Sequence, residues 1–150
     1  KIISQFILKK KTKIHIESAF LKGSAKHKLL IADACMSGGL KGIKSTPSKK
    51  QSLSQALASS TGGYAVLQSS SAYQKSIESP SYQQGVFSYW LLKGLKGGAD
   101  YNQDMIVTIQ EVFKYLTIKV PNDALKKSGK KQNPELDGVF DKNMPMSILK

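Results

Sequence analysis

The stretch KHKLLIADACMSGGL, residues 26–40, decides how the rest of the chain is read. A compact apolar run, Leu29 to Ala32, ends in Asp33. The chain's single cysteine, Cys35, follows, and after it come Ser37, Gly38 and Gly39. A short apolar run closed by a turn-forming acid fits a strand buried in a parallel sheet. In open α/β sheets, ligands bind just past the carboxyl ends of the strands. A thiol there, followed by small flexible residues, can be reached by a base and by a peptide backbone. Its own amide N–H can face a developing oxyanion. The competing reading is an inert core thiol, because free cysteine is among the most buried residue types.

Outward from this stretch, strand and helix patterns alternate. Ile16, Ala19 and Phe20 form a short helical face that Gly23 could end. Residues 41–50, KGIKSTPSKK, read as an exposed loop. YAVLQS, 64–69, is the next strand candidate, followed by a polar loop, SSAYQKSIESPSYQQ. Two helices come next. Phe87, Trp90, Leu91 and Leu95 share one face of the first; Ile109, Val112, Phe113, Leu116 and Val120 share one face of the second, which Pro121 is expected to end. Thr108 and Glu111 form a capping box at its start. KKSGKKQNPELDG reads as a loop, and MPMSIL as a closing strand. The alternation predicts a layered α/β domain with a mostly parallel sheet flanked by helices.

With 150 residues, one domain is expected, and no apolar run reaches membrane-spanning length. One cysteine rules out an internal disulfide and a multi-cysteine zinc site, and a reducing, cytoplasmic setting is expected. The net charge is +13, yet all 23 basic residues are Lys. Without Arg the chain lacks the bidentate fork that reads guanine and clamps phosphate, so no specific nucleic-acid partner is expected. The lysines read chiefly as a solvated surface, with a nonspecific anion-binding module as a rival reading.

DACMSGG, 33–39, resembles the nucleophile motif of caspase-like cysteine peptidases, in the metacaspase and bacterial branch; animal caspases carry Gln at the position of Asp33. The stretch from SSSAYQKSIES to FKYL looks like that family's small-subunit region, and KQNPELDGVFDKNMPMSIL is similar to its terminal stretch. The resemblance implies the C-terminal portion of a caspase-like layered sandwich. Residues 1–40 would carry the nucleophile, 41–63 a linker, and 64–150 the small-subunit-like part.

The resemblance also implies roles. Cys35 would attack the peptide carbonyl and form a thioester that water hydrolyses. Asp33 would floor the first specificity pocket and select Lys or Arg by charge pairing. The family's base is a His followed by Gly. Neither His15 nor His27 fits it, and the extended residues between His27 and Cys35 span about 20 Å. The base is therefore expected in a segment upstream of residue 1, leaving these 150 residues catalytically incomplete. The partners implied are a peptide or protein substrate and that upstream segment of the same protein; no membrane partner is implied. Tyr73 stands where metacaspases often carry a second acid. Self-cleavage after Lys44, Lys49 or Lys50 is a further expectation. The alternative is a noncatalytic scaffold of the same fold.

No metal or cofactor is expected, calcium being the one open alternative. Asp100, Asn102, Asp104, Thr108 and Glu111 stand at positions 1, 3, 5, 9 and 12 of an EF-hand pattern, but Met105 replaces the sixth-position glycine. The preferred reading is a polar turn leading into the capping box.

Overall fold

A computed structural model describes residues 25–33, 63–71 and 73–149. Cys35, His15 and nearly all of the 41–63 linker lie outside the described residues. Within them the chain is a mixture of helices and strands. Strand β1 (Lys28–Ala32) runs parallel to β2 (Tyr64–Gln68), with Leu30 opposite Val66. On the other side of β2 lies β6 (Glu135–Val139), antiparallel, with Val66 opposite Asp137. All five residues of β2 are buried, as its apolar sequence requires of a central strand. Two small antiparallel pairs complete the strands: β3 (Glu78–Ser79) with β4 (Gln84–Gly85), and β5 (Ile106–Thr108) with β7 (Pro145–Ile148). The expected mostly parallel sheet is thus one parallel pairing among four described.

Helix α1 (Val86–Lys93) continues into a π-helical turn over Gly94–Gly98. Helix α2 (Ile109–Ser128) begins at the expected capping box: Glu111 N–H donates to Thr108 Oγ1 at 3.3 Å, and Thr108 N–H donates to Glu111 Oε2 at 2.9 Å. Burial works to raise the Glu111 pKa. The N–H and O–H donors of Thr108 and the Tyr101 backbone outweigh it and hold the carboxyl below its ordinary value. A depressed carboxyl stabilises the fold above its unfolded pKa, so the cap is intact at neutral pH and is lost as acidification passes through the folded value.

Pro121 does not end α2, contrary to expectation; the helix runs on to Ser128 and closes at Gly129, whose φ is 66°. Pro removes one N–H and crowds one carbonyl. Packing on both sides of it holds the helix together: Val120 and Ala124 are fully buried in the core formed with Leu67, Val86, Phe87, Leu91 and Leu116. Each fully buried Val or Leu there contributes about 1.5–3 kcal/mol, which offsets the roughly 3 kcal/mol that an interior proline costs.

Two segments read as loops are partly ordered pairings. The polar loop after β2 contains the β3–β4 hairpin. ELDGV is β6, and its register depends on Gly138. There φ is +127°, and a Cβ would lie 2.2 Å from the Tyr64 carbonyl oxygen. Gly138→Ala combines backbone strain of about 1–3 kcal/mol with overpacking of similar size. It is expected to lower the unfolding free energy by about 3 kcal/mol, measured by urea denaturation; an unchanged midpoint would refute this account of β6.

Candidate functional site

Because β1 and β2 are parallel, their carboxyl ends open on the same side of the sheet. Asp33 directly follows β1; Ser69 and Ser70 directly follow β2. The Ser69 N–H donates to the Ala32 carbonyl at 2.9 Å, which holds the two ends together. Asp33 is half-buried. Its Oδ1 accepts from the Ser76 hydroxyl at 2.6 Å, and its Oδ2 accepts from the Ser88 hydroxyl at 2.5 Å. Lengths of this kind are those of hydroxyls donating to an ionised carboxylate.

The carboxylate also lies against the start of α1. A Cβ on Gly85, the residue before that helix, would sit 2.8 Å from Asp33 Oδ2. Helix α1 has no side-chain cap and no acid in its first turn. Asp33 brings negative charge to that end from another element, where the helix dipole favours it. Gly85→Ala would push a methyl group at the carboxylate. Its expected effect is a loss of about 1–3 kcal/mol in stability, measured by thermal melting. A wild-type melting temperature would place Asp33 elsewhere.

Behind Asp33 runs a buried polar chain. Ser76 Oγ lies 3.0 Å from Ser69 Oγ, and Gln132 joins Ser69, Ser76 and Ile77. The Ile77 carbonyl accepts from Val86 N–H at 2.8 Å, fixing the residue before β3 to the start of α1. The hairpin is in turn tied to α2. Tyr82 Oη and Trp90 Nε1 both donate to Asp123 Oδ2 at 2.8 Å. Burial and that bond to Asp123 push the Tyr82 pKa up to about 12.

The structure places Asp33 where the sequence led us to expect it, at the carboxyl end of a strand paired in parallel. His27 is exposed before the first residue of β1, at the far end of that strand from Asp33. Tyr73 is 90% exposed. Three contributors were not anticipated: Ser76, Ser88 and Gln132. A fourth residue, Glu78, shares their side. Glu78 pairs with Gly85 across β3–β4, and directly opposed residues of an antiparallel pair project to one face. The Cα–Cβ direction of Gly85 points at Asp33, so the exposed Glu78 side chain projects to that same face. The spacing of Ser76 and Glu78, two residues apart, carried that signal, but only once the segment is known to be extended.

In the polar turn before α2, Gln103 and Met105 adopt positive φ, 59° and 68°. Met105 N–H donates to Asp100 Oδ2 at 3.2 Å, and Ile106 N–H donates to Asp104 Oδ1 at 2.8 Å. Among the described residues, no group of three or more His, Cys, Asp or Glu side chains is arranged to hold a metal ion. Nor is any described helix long and apolar enough to cross a membrane.

In comparison with known proteins, no family model and no curated protein matches the chain.

Proposed function

We propose that the chain is the Cys35-bearing portion of a caspase-like cysteine endopeptidase that cleaves after Lys or Arg. The observation that carries this reading is the setting of Asp33. It is a half-buried carboxylate at the carboxyl end of a parallel strand, two positions before the only cysteine, and each of its oxygens is held by a serine hydroxyl. A carboxylate held in this way attracts a substrate ammonium or guanidinium without having to reorganise. Glu78, paired with Gly85 across β3–β4, would add a second negative charge on that face. The thiolate attacks the carbonyl carbon of the bound peptide, the C–N bond breaks, and the leaving amine takes a proton from the base. Water then hydrolyses the thioester, releasing the acid and restoring the thiol. His27 stands at the wrong end of β1 to be the base, and neither His15 nor His27 is followed by the Gly that the resemblance calls for, so the base would be a histidine outside residues 1–150.

The test is the activity of the full-length protein on matched peptides ending in Lys, Arg, Asp or Leu at the cleaved bond, with Cys35→Ala as the control. Much faster cleavage of the Lys and Arg peptides than of the Asp and Leu peptides is the expected result. No cleavage of any peptide, with the protein folded, would favour the noncatalytic scaffold.

A further inference from the structure

We infer that Gln132 is a positioning residue for the Asp33 carboxylate, acting through Ser76, and that it thereby sets the preference for a cationic substrate side chain. This rests on the reading of Asp33 as the group that binds that side chain. Gln132 lies just before β6 and is 0% exposed. Its amide can face only one way. The Ile77 N–H only donates, so it selects Oε1, at 2.9 Å. The Ser69 carbonyl only accepts, so it selects Nε2, at 2.9 Å.

The second hydrogen on Nε2 then points at Ser76 Oγ, 3.2 Å away. An amide N–H cannot accept, so Ser76 accepts from Gln132 and keeps its one proton for another oxygen. Among the described residues, Asp33 Oδ1 at 2.6 Å and Ser69 Oγ at 3.0 Å compete for that proton. The carboxylate is both closer and charged, and a hydrogen bond to a charged acceptor is about twice as strong as a neutral one. The proton goes to Asp33. Gln132 thus fixes where the Ser76 hydroxyl sits, in a relay that runs from amide to hydroxyl to carboxylate. With Ser88 on the other oxygen, two hydroxyls hold the plane of the carboxylate.

The experiment compares two peptides that differ only at the cleaved position, one with Lys and one with norleucine, which is similar in shape but lacks the ammonium. The full-length protein is assayed with Gln132→Met, Gln132→Glu, Ser76→Ala, Asp33→Asn and the Ser76→Ala/Gln132→Met double variant. Gln132→Met is expected to lower the Lys-to-norleucine ratio of kcat/KM at least tenfold, mainly through KM. Gln132→Glu keeps the size and the acceptor for Ile77, should it be needed for folding. It is expected to lower the ratio similarly, because the new carboxylate takes the Ser76 proton. The double variant should lose no more than the larger single loss, as expected of residues acting in series. Equal losses on both peptides, or single losses that multiply, would mean Gln132 is merely structural and would overturn the inference. A ratio moved by Asp33→Asn but by neither Gln132 variant overturns it alone. A ratio that Asp33→Asn leaves unmoved overturns the reading of Asp33, and this inference with it.

Discussion

Cys35→Ala in the full-length protein is expected to reduce peptide hydrolysis by roughly 10⁵-fold or more, to background. Without the sulfur no thioester forms, and the remaining groups can only bind and polarise the carbonyl. Ser is a sharper test than Ala of whether thiolate chemistry is needed. An alkoxide at that position would need a far stronger base, because serine's hydroxyl ionises at a much higher pH than the thiol. The same variant should arrive uncut. In active protein, intact-mass analysis is expected to show cleavage after Lys44, Lys49 or Lys50, in the lysine-rich stretch 41–50. A Cys35→Ala protein that still hydrolyses Lys peptides would end the assignment of Cys35 as nucleophile. An active enzyme whose chain stays whole would end the self-cleavage part alone.

Asp33→Asn is expected to lower kcat/KM for Lys and Arg peptides by about 10²- to 10³-fold, while Leu peptides change little. Removing one partner of a desolvated charge pair costs about 2–5 kcal/mol, and each 1.4 kcal/mol is a factor of ten. The isosteric amide keeps the shape of the side chain. It replaces one acceptor oxygen by a donor, so one of the two serine bonds, from Ser76 at 2.6 Å or Ser88 at 2.5 Å, must reverse or break. The loss should appear in KM as well as in kcat, because under the proposed function Asp33 would bind a part of the substrate that does not react. Equal losses on Lys and Leu peptides would show that Asp33 holds the local fold rather than the substrate. Glu78→Gln should give a smaller selective loss. Glu78 is exposed, and water screens its charge.

Much of the scaffold was legible in local chemistry. LLIA and YAVLQ are strands, as their apolar runs predict, and they pair in parallel; all of β2 is buried, but in β1 only Leu30 is. The helical spacing from Ile109 onward, opened by Thr108 and Glu111, is the start of α2. Other elements depended on partners distant in sequence. Glu135-Leu136-Asp137-Gly138-Val139 has a charged, glycine-containing sequence that reads as loop. It is a strand because β2 offers it five register positions and because Gly138 lets the backbones approach. Pro121 carries a strong local stop signal, which the burial of Val120 and Ala124 overrides.

The candidate site divides along the same line. A lone cysteine and an acid after an apolar run are visible in fifteen residues of sequence, because strand ends and turn residues are local features. By itself the chain's order of residues therefore determined the strand, the rim on which Asp33 stands, and the all-lysine character that argues against reading bases. Only the tertiary structure decided which groups surround Asp33. Ser76, Ser88 and Gln132 lie 43, 55 and 99 positions further along the chain (the last is 132 less 33), and no spacing rule connects them. A hydrogen bond needs two atoms within about 3 Å, and over such separations that proximity comes from the packing of β2, α1 and β6 around one core.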